Sequence, residues 1–230
     1  MCALSPAQHI DSPRVRSTNL PLATSRKQVD MVRGAAATPA ERLQEATGMI
    51  MPKDLVLHHG FVEAYLNIRE ELLHTIRLLV QQGSKPLEVH ITGHSMGGAV
   101  AMLAAMEINH LRKHGEMHVQ TPQTFTFAAP RLGDAAFADL FTRAFPEPDK
   151  FWAVQAPSDA VPHLPFSAWG FRHPEGVLKL DGSVVCPQAT RRMTDPGDSL
   201  ELLRPKHGDV SQWAFCHDLE EYIRLLQAIA

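Results

Sequence analysis

From Phe61 to Gln82 the apolar residues Val62, Tyr65, Leu66, Leu72, Leu73, Ile76, Leu79 and Val80 recur at helical spacing, and Gly83 ends the pattern. This predicts the longest helix of the chain. Pro86 to Thr92 then alternates through Leu87, Val89 and Ile91, a strand pattern, and the Ala-, Met- and Leu-rich run from Met96 to Leu111 predicts a second helix. Further expectations are strands over Gln123 to Ala128 and Phe151 to Gln155, a helix near Asp134 to Phe145, and a closing helix from Leu219 to Ile229. Thr38-Pro39-Ala40-Glu41 is a helix start: Thr38 caps, Pro39 suits the first helical position, and Glu41 completes a capping box, with Gly48 as terminator. Lys27 to Arg33 predicts a strand. Val177 to Leu180 and Ser183 to Cys186 flank Asp181-Gly182 as the arms of a hairpin. Strands alternating with helices argue for an α/β fold with a mainly parallel sheet.

Composition narrows this picture. Residues 1 to 26 carry Ser5, Pro6, Asp11, Ser12, Pro13, Asn19 and Pro21 with little periodicity and read as an irregular tail, leaving residues 27 to 230 for one domain. Against 22 Lys and Arg stand 25 Asp and Glu, spread without large blocks, which argues against a nucleic-acid partner. The longest apolar runs, such as Ala99 to Met106, fall far short of the roughly 20 residues of a membrane span. Cys2, Cys186 and Cys216 show no paired spacing, so neither a disulfide framework nor a zinc knuckle is expected. The first nine residues lack a continuous apolar core, and on that basis the expected location is cytoplasmic.

Chemistry concentrates in Thr92-Gly93-His94-Ser95-Met96-Gly97-Gly98. A Gly-x-Ser-x-Gly pattern between a predicted strand and a predicted helix is the setting of a nucleophile elbow. The turn forces Ser95 into a strained backbone conformation, and Gly93 and Gly97 are expected to remove side chains that would collide there. The backbone N–H of Met96, at a helix N-terminus, becomes an oxyanion donor. A serine needs a base and an acid, in the chain order Ser, Asp or Glu, His. Asp159 lies just past the predicted strand at Phe151, where functional groups of open sheets collect. Asp134 and Asp139 belong to a predicted helix, Asp181 to the hairpin turn, and Asp149 is a further acid. His163, His173, His207 and His217 all follow Ser95. His217 is preferred because a helix start fixes its position, with His207 as its chief rival. The histidines show no metal spacing such as His-Glu-x-x-His, so no metal is expected.

Taken together, several stretches resemble the class 3 lipase family, the fungal-lipase-like α/β-hydrolases. They are Val32-Arg33-Gly34-Ala35, His58-His59-Gly60-Phe61 with Ala64-Tyr65, the elbow, Phe127-Ala128-Ala129-Pro130-Arg131-Leu132-Gly133-Asp134, Asp159-Ala160-Val161-Pro162-His163, and His217 to Tyr222. The resemblance implies an α/β-hydrolase fold with a shortened N-terminal part. It implies Ser95 as nucleophile, Asp159 as acid, His217 as base, and Ala35 as the second oxyanion donor beside Met96. Family members usually carry Ser or Thr where this chain has Ala35, which keeps the N–H and loses a hydroxyl. Ala36 to Met51 occupies the family's lid region, where Leu43, Met49, Ile50 and Met51 either cover the site and meet lipid or form ordinary buried surface.

The expected activity is hydrolysis of carboxylic esters of lipids, acylglycerols foremost, through an acyl-enzyme and without a cofactor. Expected partners are a lipid or small ester and transient contact with a lipid surface. The alternative is a lipase-fold interaction protein with weak or no catalysis, motivated by Ala35 and the short N-terminal part.

Overall fold

The computed structural model describes residues 37–156, 159–180 and 217–228. The expected strand at Lys27 to Arg33, the residues Ala35 and His207, and the second arm of the expected hairpin lie outside the described residues. Helix α1 spans Pro39–Thr47. Its Thr38 side chain accepts from the Glu41 N–H, the Glu41 carboxylate returns the bond to the Thr38 N–H, and Gly48 closes the helix at φ 71°. Helix α2 covers His59–Gln81, two residues ahead of the predicted start.

Among the described residues a four-stranded parallel sheet forms the centre: β1 (His90–His94), β2 (Gln123–Phe127), β4 (Phe151–Gln155) and β6 (Val177–Lys179), in that spatial order. The register sets His94 beside Phe127, and Phe127 beside Val154. Helices α3 (Met96–Lys113) and α4 (Ala135–Ala144) make the crossovers between strands. A two-stranded antiparallel ribbon pairs β3 (Gly133–Asp134) with β5 (Phe171–Arg172). The last helix, α5, covers Leu219–Gln227.

One of these elements corrects an expectation. Strand β1 begins four residues later than the alternation suggested: Leu87 forms an isolated bridge to Val119, and the continuous ladder starts at His90. Val177 to Lys179 is a strand that pairs in parallel with β4, while the turn and second arm of the expected hairpin lie outside the described residues.

Alternating side chains of β4 divide the core. Phe151 and Ala153 pack with Phe61, Val62 and Tyr65 of α2 and with Ala99, Met102 and Leu103 of α3. On the opposite face Val154, with Trp152 against it, packs with Ala128, Ala156, Leu180 and Tyr222, so α5 covers the side away from α3. Helix α3 carries little polar surface because it lies between the sheet and α2. Leu43, Met49 and Met51 of the expected lid region are buried in the main core, whereas Ile50 is 87% exposed. Three of the four residues nominated as lid surface therefore serve packing.

Candidate active site

The elbow is strained at one residue. Ser95 has φ 56° and ψ −130°, a region that costs a non-glycine residue of order 1–3 kcal/mol. Its amide donates to Phe127 O at 2.9 Å, anchoring the turn to the sheet. A serine at an N-cap ordinarily bonds the first turn of its helix. Ser95 makes no such bond, so its Oγ is directed elsewhere and the N–H of Met96, which has no intrahelical acceptor, remains at the helix mouth.

The glycines behave differently from expectation. A Cβ on Gly93 would lie 2.2 Å from Gly97 O, and a Cβ on Gly98 would lie 2.6 Å from the Ala129 Cβ. A Cβ on Gly97 would meet nothing within 4 Å. The crowding expected at Gly97 falls on Gly98, whose Cα faces the chain leaving β2.

Ser95 Oγ lies 2.8 Å from His217 Nε2. On the far side of the ring, Nδ1 is 3.0 Å from Asp159 Oδ2 and 3.2 Å from Oδ1. Asp159 is fully buried, the His217 side chain is 22% exposed, and Ser95 is half-buried. With Nδ1–H donating to the carboxylate, Nε2 is left as the acceptor for the Ser95 hydroxyl.

Each member is held by its own element. His217 stands one residue ahead of Asp218, the N-cap of α5, whose side chain accepts from the Glu220 N–H. Asp159 Oδ1 accepts from the Val161 N–H at 2.9 Å, and Oδ2 accepts from the Tyr222 hydroxyl at 2.8 Å. That hydroxyl accepts in turn from the Ala156 N–H at 3.0 Å. Arg131, with no exposed surface, donates from Nη1 to His163 O and Pro165 O, while its amide donates to Leu164 O. The loop after β2 is thereby tied to the 3₁₀ turn Val161–His163 that follows Asp159.

Other candidates lie elsewhere. Asp134 caps α4 by accepting from the Phe137 N–H, and Asp149 pairs with Lys150. His173 Nε2 donates to Pro162 O, and His163 is buried in the 3₁₀ turn. Tyr222 and His94 were assigned no role by sequence reasoning, yet both touch this group. His94 Nε2 is 2.8 Å from His217 O, and the two rings lie 4.8 Å apart at 33°. Burial, foremost, holds the His94 imidazole below the usual histidine range, and the adjacent His217 adds to this. Among the described residues no three or more His, Cys, Asp or Glu gather to hold a metal, and no helix is long and apolar enough to cross a membrane.

The class 3 lipase profile matches residues 24–169, well over half of the chain. The chain belongs to the class 3 lipase family. This class 3 lipase chain is 32% identical over 123 residues to a secreted mono- and diacylglycerol lipase of Malassezia globosa, covering 54% of this chain and 38% of that protein. It is 32% identical over 139 residues to a secreted mono- and diacylglycerol lipase of Gibberella zeae, covering 57% of this chain and 32% of the relative. The chain thus spans about a third of the length of these curated relatives. A solved structure of the Rhizomucor miehei triacylglyceride lipase superposes with a TM-score of 0.54 at 25% identity, over 77% of this chain and 67% of that one. The central parallel sheet flanked by helices is that of an α/β-hydrolase. The cytoplasmic location expected from the first residues is overturned by these relatives, which are named as secreted.

Proposed function

We propose that this chain hydrolyses carboxylic esters of lipids, acylglycerols foremost, with Ser95 as nucleophile, His217 as general base and Asp159 as its orienting acid. The observation that carries the reading is the 2.8 Å contact between Ser95 Oγ and His217 Nε2, with Asp159 on the opposite ring nitrogen. His217 takes the hydroxyl proton as Oγ attacks the acyl carbonyl. Asp159 stabilises the imidazolium that forms. The Met96 N–H, at the positive end of α3, stabilises the tetrahedral oxyanion, and Ala35 is the proposed second donor. His217 then protonates the leaving alcohol, and water activated by the same ring releases the carboxylic acid.

The lipid character of the substrate is supported by the names of the mono- and diacylglycerol lipases that the chain resembles. It is also supported by exposed apolar residues close in sequence to the reacting groups: Met96 follows Ser95, and Leu219 and Ile223 follow His217 one helical turn apart. Exposed apolar side chains of this kind suit an acyl chain or a lipid surface. The secreted relatives favour action outside the cell.

Purified protein is expected to turn over a p-nitrophenyl butyrate substrate and a diacylglycerol emulsion. Ser95→Ala should abolish both while leaving the thermal unfolding curve in place. Unchanged rates in a folded Ser95→Ala protein would overturn the reading. Labelling by a fluorophosphonate separates it from the non-catalytic alternative, because an unactivated serine stays unlabelled.

A further inference from the structure

We infer that His94, the residue between Gly93 and Ser95, is a positioning residue that holds the base by its backbone. This rests on the proposed role of His217. His217 lies ahead of the α5 N-cap, so the helix ladder does not constrain its peptide or claim its carbonyl. That carbonyl is taken by His94 Nε2 at 2.8 Å, and a bond to a carbonyl requires Nε2 to carry the hydrogen. The His94 ring also lies against the His217 ring, 4.8 Å between centroids, while the Tyr222 ring meets it edge-on at 6.3 Å and 73°. One side chain therefore restrains both the peptide plane and the ring swing of His217.

The origin of this restraint matters as much as its strength. His94 ends β1 and is paired in the sheet with Phe127, and its neighbour Ser95 is fixed by the bond to Phe127 O. Nucleophile and tether share one short piece of rigid backbone. Any shift of the elbow carries both, so the Ser95–His217 separation is held without an intervening element. Small misplacements of reacting groups are costly, which gives such a coupling its value.

Charge is compatible with the role. Among the described residues the groups facing His94 are His217 and Asp218, which lead into α5, Tyr222 of α5, and Asp159 from the loop after β4. Burial and His217 disfavour a proton on His94, whereas the bond to the His217 carbonyl, Asp159 and Asp218 favour one; the balance holds the ring neutral near neutrality. A neutral ring does not oppose the imidazolium that His217 becomes during turnover.

The test compares His94→Phe, which keeps a ring and loses the donor, with His94→Gln, which keeps a donor and loses the ring. The rate of Ser95 labelling by a fluorophosphonate, kcat and KM for p-nitrophenyl butyrate, and the thermal unfolding midpoint are measured for each. His94→Phe is expected to label about tenfold more slowly, with kcat reduced and KM held, and His94→Gln to recover most of the loss. Equal rates for His94→Phe and the unaltered protein, or equal slowing in both variants, would overturn the inference. If His94→Phe fails to fold, His94→Asn, whose amide is too short to reach, takes its place. The downfield proton resonance of the His217 Nδ1–H bonded to Asp159 gives a readout that needs no turnover. Its loss in His94→Phe supports the tether even if the unaltered protein proves unreactive, and its persistence unchanged refutes it.

Discussion

Tyr222 and Asp159 meet in the interior through a 2.8 Å hydrogen bond, the phenol donating to Oδ2 while it accepts the Ala156 N–H. The bond stabilises the charged carboxylate and fixes the plane from which it addresses His217. Tyr222→Phe should therefore lower kcat by about tenfold with little change in KM. The same change should reduce stability by about 1 kcal/mol, read from urea unfolding. An unaltered kcat in the folded variant would count against this part of the network.

Asp159→Asn tests the acid itself. The amide can donate to Nδ1 and leave the hydrogen on Nε2, the wrong tautomer for accepting the Ser95 proton. A fall in kcat of about 10⁴-fold is expected, with fluorophosphonate labelling slowed in parallel. Labelling at the unaltered rate would remove Asp159 from the mechanism.

Gly97 and Gly98 should separate cleanly. Alanine at Gly98 would press on the Ala129 and Thr126 side chains and on Gly93 O, and a loss of about 1–3 kcal/mol is expected. Alanine at Gly97 meets open space on a helix, so stability should hold or rise by up to about 1 kcal/mol. Thermal unfolding of the two variants reads the difference directly.

The site surroundings were legible in the sequence to the extent that their causes are local. Capping residues around Pro39 and Gly48, and the apolar strand at Phe151, marked their elements because caps and alternation act within a few residues. The start of β1 was misplaced because Leu87, Val89 and Ile91 alternate like a strand, while pairing with β2 selects His90 to His94. The pairing of β6 with β4 was not legible either, because a parallel neighbour arrives by a long connection that local residues do not mark. Ser95, Asp159 and His217 were nominated from motif and order, and the fold brings them together. His94 and Tyr222 carried no signal of their own, since their partners lie 123 and 63 residues away and only the closed structure joins them.

Acid should weaken the fold through His58. This ring is buried against Phe61, neither nitrogen has a hydrogen-bond partner among the described residues, and burial pushes its pKa down to about 4, with His59 adding to the effect. The unfolded chain takes up a proton near pH 6.5 that the folded chain refuses until about pH 4. Stability is thus fully present above pH 6.5 and falls as pH drops toward 4, by about 2 kcal/mol between pH 7 and 5. In urea unfolding at these two pH values, His58→Leu should show a smaller difference; an equal one would exonerate His58.

Helix α5 brings His217 to Ser95 from one end and secures Asp159 through Tyr222 one turn and a half later. In the proposed mechanism, a chain ending before residue 217 would hold the nucleophile and its orienting acid without their base. Ester turnover is therefore expected to appear only once α5 has docked against the sheet.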